Sequence, residues 1–482
     1  MATFTVSSKT ANRFVIDSIK NQTSWFIAQV FFLFFYFYLL GKLKVIHGHD
    51  SPYYVLLRHT LISEVFLSSV VPSGYPLVLK LVSVISPSLS ILPMVQFTIL
   101  AISIFAFYCA LGRYGLSRWL ALAISSTIFY SNYTFIFIPM VVTDILATSA
   151  VILAISMLIF VICKPCNFYW WFLYSIFLFF SYQTRPAYLF LLVLLPLLGI
   201  MLLFLRIRYK RIHFPFKKSR FITTLTITSI LPFIFFCYLR FAALGFFGIT
   251  SSDGWTIAGI AGQFLSEDMA RKLPNDLRLY ALNVLDERKG FLDWELPGDT
   301  SNFAVIERMY YKTVWSLLYP VAEQMYKEKG DVAVKRKLLE FSMAIIRAKP
   351  VPYIIWIMKA FRVQFVRLIE TNYEFQALTL LFIILQFIYL LKQLYGYESD
   401  PDLENRRAGH YYAFATVFLI GVSFALSGIF LISLVVIPDD RYISAAGIFL
   451  PSIPAVLILD RCSKIIKMRW PSSKKADTTK SW

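Results

Sequence analysis

Charge is what this sequence has least of. Only 16% of its 482 residues are Asp, Glu, Lys or Arg, against about a quarter in a typical soluble domain. Polar linkers are also scarce. A soluble core stops growing near about 250–300 residues, so a water-soluble chain of this length should be cut into domains by such linkers. Their shortage excludes a soluble enzyme, a fibrous protein and a disordered chain. Five cysteines are too few for a disulfide framework. Cys163-Lys-Pro-Cys166 has CxxC spacing, but no second pair or histidine cluster accompanies it, so apolar filling competes with metal or redox use. No Walker loop, GxGxxG, HExxH or GxSxG pattern stands in a suitable context, and nucleotide hydrolysis is not supported. Acidic residues are few as well, 28 against 47 basic, which leaves a net charge of +19.

What fills the chain instead is apolar. Hydrophobic residues make up 58% and the mean hydropathy is +0.64. Repeated apolar runs have about the length that crosses a bilayer as helix. Ten are expected as spans: 25–40, 91–111, 119–135, 142–163, 168–182, 187–205, 221–247, 377–395, 411–437 and 443–459. The fold class implied is an all-α polytopic membrane protein with about ten transmembrane helices. An even count puts both ends on one side. The segments on that side hold most of the basic residues, including the run from Arg206 to Arg220 and the tail from Arg461 to Lys480. By the positive-inside rule they are cytoplasmic. The basic excess then reads as topology, and no nucleic-acid partner is needed to explain it.

The organisation expected is a cytoplasmic N-terminus (1–24), a membrane core of seven spans (25–247), spans eight to ten (377–459) and a basic cytoplasmic tail (460–482). A first outer loop (42–89) interrupts the core, and an extracytoplasmic domain (248–376) follows it. That domain is nearly charge-balanced. Helical spacing of Val334, Leu338, Phe341 and Ile345 marks it as at least partly helical. The stretch 350–369 is apolar but carries Lys359, Arg362 and Arg367, the pattern of a helix lying in the interface. The N-terminus is polar to about Thr23, and no small-residue cleavage site follows the first apolar run, so no cleavable signal is expected.

Charged residues in or beside spans are expensive and mark functional candidates. On the expected outer side they are Asp50, Glu64, Asp144, Arg185, Asp439, Asp440 and Arg441. Asp50 directly follows the first span and can act as a general base on an acceptor hydroxyl; it also reads as a solvated loop carboxylate. His47 and His49 are candidate ligands with Asp50 for a divalent metal ion, or ordinary loop histidines, and metal use stays open. Asp144 opens span four, where capping a helix is the plain alternative. Arg185 sits in the tight Gln183-Thr-Arg-Pro186 turn, suited to a lipid-linked phosphate or to snorkelling toward headgroups. Pro438-Asp-Asp-Arg-Tyr442 forms another outer turn. It can touch phosphate or sugar, or hold a local ion pair.

The order of these pieces carries a resemblance. Asp50 and Tyr53 follow the first span. Gly74-Tyr-Pro-Leu77 comes next, then Thr143-Asp144 opening span four. Thr184-Arg-Pro186 precedes span six, Ala348-Lys-Pro350 with Tyr353 precedes the interfacial helix, and Arg441-Tyr442 leads into the last span. From residue 25 to residue 459 the chain resembles the GT-C superfamily of integral-membrane glycosyltransferases. The nearest branches are those of protein mannosyltransferases and of 4-amino-arabinose transferases acting on lipid A. The resemblance implies an inverting transferase of the bacterial inner membrane, with its site on the periplasmic face. The donor would be a polyprenyl-phosphate-linked sugar, and the acceptor a lipid, glycan or protein. It implies Asp50 as base, and Tyr53, Asp144, Arg185, Arg441 and Tyr442 as substrate-binding residues. Arg185 and Arg441 would stabilise charge on the leaving phosphate, and Asp144 would position the acceptor or a metal. Many members carry an Asp-Glu pair in the first loop; here Ser51 follows Asp50, so Glu64 is the reserve base. Two other readings stay open. An O-antigen or capsule polymerase or ligase should show arginine-dominated outer loops. A lipid-linked glycan flippase should show broken helices in matching halves and mid-span charges, of which Arg240 is one.

Overall fold

The structure is a computed structural model that describes residues 8–48, 50–68, 71–210, 217–251, 253–291, 308–395 and 403–468. Among the described residues it is helical throughout, with no β-strand. The long α1 (Ser8–Leu39) leads into three short helices of the first loop, α2 (Ser51–Leu57), α3 (Ile62–Leu67) and α4 (Gly74–Ile85). The core continues through α5 (Leu92–Tyr114), α6 (Arg118–Phe129), α7 (Asn132–Phe137), α8 (Asp144–Cys163), α9 (Phe168–Thr184), α10 (Leu191–Lys210) and α11 (Lys218–Leu244). A helical unit follows, built from α12 (Asp253–Ala261), α13 (Glu267–Lys272), α14 (Asn275–Lys289), α15 (Tyr319–Tyr326) and α16 (Asp331–Ala348). The chain returns through α17 (Pro350–Glu370), α18 (Tyr373–Leu394), α19 (Leu403–Val435), α20 (Asp440–Ala446) and α21 (Ser452–Lys467).

Seven helices among the described residues are long and apolar enough to cross a membrane: Gln22–Leu39, Leu92–Tyr114, Asp144–Cys163, Pro186–Tyr209, Lys218–Leu244, Tyr373–Leu394 and Gly409–Val435. The protein is therefore a multi-pass membrane protein. The difference from ten lies in the third, fifth and tenth expected spans. Residues 119–135 are split, because Ser131 accepts the N–H of Thr134 and starts α7 afresh. Residues 443–459 are split at Gly447, and Pro451, which has no N–H to donate, restarts the helix as α21. Residues 168–182 form one continuous helix, α9, of 17 residues. The stretch 350–369 falls in α17, which meets α16 at 101°. Pro350 forces that break, since the residue before a proline is pushed out of helical conformation, and Lys349 sits at φ −132, ψ 66.

At the centre of the bundle stands α8, buried almost along its whole length. Ala147, Ser149, Ala150, Ala154 and Ser156 give it a slim profile, which lets α5 and α9 approach closely. By contrast, α18 buries none of its side chains and presents its apolar surface outward. The two ends of α8 have different chemistry. At its C-terminal end Arg206 donates to the carbonyl of Ile162 at 3.0 Å, and Cys163 lies against the carbonyl of Arg113. Asp144 is at the other end, about 30 Å away along a helix of 20 residues. Arg113 and Arg206 thus lie at the opposite end of α8 from the buried acid. The unit spanning 253–348 has its own core, including Leu277, Tyr280, Leu318, Leu338 and Phe341, with the Tyr280 hydroxyl donating to the carbonyl of Leu318 at 2.7 Å.

Candidate functional site

Four charged side chains from four distant segments meet at the N-terminal end of α8. Their positions begin with backbone. Ile46 donates its N–H to the carbonyl of Pro139 at 2.8 Å, and Val141 returns its own to the carbonyl of Ile46 at 2.9 Å. Ser51 then donates its hydroxyl to the carbonyl of Val141 at 2.8 Å while accepting the N–H of Gly48 at 2.7 Å. These bonds fasten the start of the first loop to the turn that precedes Asp144. Asp50 stands just before α2 and makes no cap bond to it, so its carboxylate is available to another partner.

That partner is Arg441. The Asp439-Asp440-Arg441 run divides its labour. Asp439 caps α20 by accepting the N–H of Arg441 at 2.7 Å, and Asp440 accepts from Arg367 at 2.9 Å. The Arg441 guanidinium is left to reach inward. Its Nη1 donates to Asp50 Oδ2 at 2.5 Å, and its Nε and Nη2 donate to Asp144 Oδ2 at 2.8 and 2.5 Å. Burial works against the charge of Arg441, but Asp144 and Asp50 outweigh it and hold the proton more tightly than on an ordinary arginine.

Asp144 is fully buried, and its second oxygen accepts from Arg185. Arg185 is held in an extended conformation between the end of α9 and Pro186, and its guanidinium lies 4.5 Å from the centre of the Tyr442 ring. The Tyr133 hydroxyl approaches Asp144 Oδ1 at 3.4 Å and continues into a hydroxyl chain, 3.0 Å to Thr148 and 2.8 Å from Thr148 to Tyr188. Behind Arg185 the void bounded by Tyr188, Gly428 and Tyr442 is only about 10 Å³, roughly enough for a water and not for a sugar. Asp50, 40% exposed, is the open side of the cluster.

Other sequence-identified residues lie elsewhere. Tyr53 is exposed, within electrostatic reach of Tyr319 in the 253–348 unit. Its neighbour Tyr54 faces the charged cluster instead, packing edge-on against Tyr75 at 5.1 Å. Burial, with Asp50 adding to it, keeps the Tyr54 phenol protonated well beyond the ordinary tyrosine range. Glu64 turns back to accept the N–H of Leu61 at 2.9 Å, capping its own short helix, and takes no part in the cluster. His47 is described and His49 lies outside the described residues. Among the described residues no group of three His, Cys, Asp or Glu side chains gathers in a way that suits a metal ion.

The residues to which sequence reasoning gave no role are Tyr54, Tyr75, Tyr133, Thr148 and Tyr188. Tyr54 carried a usable signal. Tyr53 and Tyr54 are adjacent on a helix that packs on α4, and adjacent helical residues point about 100° apart, so only one can face inward. Gly74 explains the tight seat of α4. A Cβ there would come within 2.6 Å of the Thr184 hydroxyl and 2.8 Å of the Gln183 carbonyl, and next to it the Ser73 hydroxyl donates to Gln183 Oε1 at 3.0 Å.

No protein-family model, no curated protein and no solved structure matches this chain.

Proposed function

We propose that this protein is an inverting membrane glycosyltransferase, moving a sugar from a polyprenyl-phosphate carrier to a lipid, glycan or protein acceptor at the outer face of a bacterial inner membrane. The observation that carries the reading is a half-exposed carboxylate, Asp50, oriented by an arginine that is itself locked to a buried aspartate at one end of a membrane bundle. Asp50 Oδ2 is engaged by Arg441, and no hydrogen bond holds Oδ1 among the described residues. A base is most effective when its approach is fixed in this way.

In the proposed step Asp50 takes the proton of an acceptor hydroxyl. The acceptor oxygen attacks the anomeric carbon, the bond from that carbon to the phosphate oxygen breaks, and its electron pair leaves with the lipid phosphate. Attack and departure on opposite sides invert the anomeric configuration. Phosphate is a good leaving group and needs no strong general acid. Arg441, at the mouth of the cluster, is placed to stabilise developing charge. Asp144 holds Arg185 and Arg441 in place and acts as a positioning residue. The ordered succession of sequence motifs also supports this reading.

The test is sugar transfer from radiolabelled polyprenyl-phosphate sugar by the purified full chain, with Asp50→Asn alongside. Transfer by the wild type and its loss in the variant are expected. Full transfer by Asp50→Asn would remove Asp50 as the base. Movement of a lipid-linked glycan across vesicles without consumption of donor would replace the transferase reading with a transporter.

A further inference from the structure

The two arginines of the cluster are electrically satisfied: Arg185 and Arg441 face Asp144 and Asp50. One further arginine at the same end of the bundle is not. Arg240 lies about one turn from the end of α11, in a helix long and apolar enough to cross the membrane, and is 1% exposed. Its Nη1 reaches the Phe66 carbonyl at 3.4 Å, a weak contact at the end of α3. Its Nε and Nη2 are buried with no hydrogen-bond partner, and the same is true of the Tyr182 hydroxyl. No carboxylate pairs with Arg240 among the described residues. Cys237, one turn earlier on α11, is within electrostatic reach of Tyr182 and of Arg240. The walls are aromatic: Phe236 lies 5.9 Å from the guanidinium, and Phe233 lies 5.9 Å from the Tyr182 ring. Immediately beside Arg240, Tyr238, Leu239 and Phe241 are exposed on the apolar flank of the bundle.

A guanidinium buried without a counter-charge costs several kcal/mol, and ionisable groups inside membrane helices are retained for function. The free donors Nε and Nη2 form a planar fork that matches two oxygens of one anion. The exposed flank next to it, with Tyr238, Leu239 and Phe241, is apolar and suits contact with a hydrocarbon chain. We infer that Arg240 binds the phosphate headgroup of a lipid that enters sideways between α3 and α11. The ligand class is an amphiphile with a phosphate head, either a polyprenyl phosphate or a bilayer phospholipid. The inference rests on the membrane-spanning fold and not on sugar transfer.

The purified full chain is titrated with undecaprenyl phosphate, phosphatidylglycerol, undecaprenol and oleate, and bound lipid is read by native mass spectrometry. The wild type is expected to retain a phosphate-bearing lipid in preference to undecaprenol and oleate. Arg240→Gln should weaken that binding by about tenfold or more, the scale of a charge-assisted hydrogen bond, and Arg240→Lys by less. Loss confined to undecaprenyl phosphate identifies the carrier, and loss confined to phosphatidylglycerol identifies a bilayer lipid. Equal phosphate-lipid binding by wild type and a cooperatively melting Arg240→Gln overturns the inference, as does a preference for oleate. If Arg240→Gln does not fold, competition on the wild type decides: undecaprenol displacing undecaprenyl phosphate and phosphatidylglycerol at equal concentration overturns it, and failure to displace either supports it. Because the readout is binding, these outcomes stand whether or not the protein transfers sugar.

Discussion

Asp144 and Arg441 stand 297 positions apart in the chain and are joined by two hydrogen bonds to a single carboxylate oxygen, Nε at 2.8 Å and Nη2 at 2.5 Å. One is fully buried and the other roughly a quarter exposed. The pair spans the boundary between the closed interior of the bundle and the face on which Asp50 opens.

Asp144→Asn is expected to destabilise the protein by about 3–5 kcal/mol, because it strips the buried Arg185 and the partly buried Arg441 of their shared counter-charge. In a double-mutant cycle with Arg441→Gln the two effects should not add, with a coupling of at least about 1 kcal/mol. Unfolding measured in detergent checks both, and strictly additive losses would show that the pair is energetically idle.

Asp50 should behave differently. At 40% exposure its pair with Arg441 is partly screened, so Asp50→Asn should cost no more than about 1 kcal/mol of stability. Sugar transfer should nevertheless fall by about a hundredfold or more, the scale of a lost general base. Parallel melting and transfer measurements separate the two. A variant that loses activity only in proportion to its folded fraction would contradict the split.

Gly74→Ala should unseat α4. The added methyl meets backbone at Gln183, which cannot rotate away as a side chain would, and overpacking of this kind costs about 1–3 kcal/mol. Accelerated proteolysis of the 60–90 segment is the readout, and an unchanged digestion pattern would count against the contact.

Labelling tests the sidedness. Cys166 is an exposed native thiol at the basic end of the bundle, and Leu279, exposed on α14, belongs to the 253–348 unit. An impermeant maleimide should reach Cys166 and Leu279→Cys from opposite sides of sealed vesicles. Labelling of both from one side would refute the arrangement.

A pH dependence follows from the ion pair between α14 and α16. Lys337 donates to Asp276 at 2.8 Å, and that bond holds the Asp276 carboxyl below its ordinary range and the Lys337 ammonium above its own. A lowered carboxylate contributes stability above its unfolded pKa and loses it as pH falls through the folded one. A raised lysine contributes below its unfolded pKa and loses it as pH rises through the folded one. The melting difference between wild type and Asp276→Asn should therefore be level from about pH 5 to about pH 9 and shrink on both sides. A difference that stays constant into strong acid would exclude the pair as its source.

The membrane class was legible because bilayer thickness fixes a run length that composition reveals directly, and the long helices α5, α8, α10, α11 and α19 each overlap an expected span over most of its length. The short spans were not legible in the same way. Hydropathy averages over residues and is blind to Ser131 capping a new helix, or to Pro451 restarting one. At the site, scarcity of charge picked out Asp50, Asp144, Arg185 and Arg441 one by one, since a charge beside a span is costly wherever it occurs. Their pairing was hidden. Asp439 and Asp440 look like the natural partners of Arg441 in sequence, yet one caps a helix and the other takes Arg367. Buried tyrosines were missed because an aromatic residue in an aromatic-rich chain gives no contrast.

The four charged residues of the cluster arrive in order along the chain, Asp50, Asp144, Arg185 and finally Arg441. A nascent chain that has reached α19 already holds one excess negative charge at this spot, and it is balanced only when α20 docks. Completion of the site is therefore a late event in biogenesis, and any truncation before residue 441 strands a carboxylate at the membrane. A cell that proteolyses chains with unpaired intramembrane charge would use this one contact to tell finished molecules from unfinished ones.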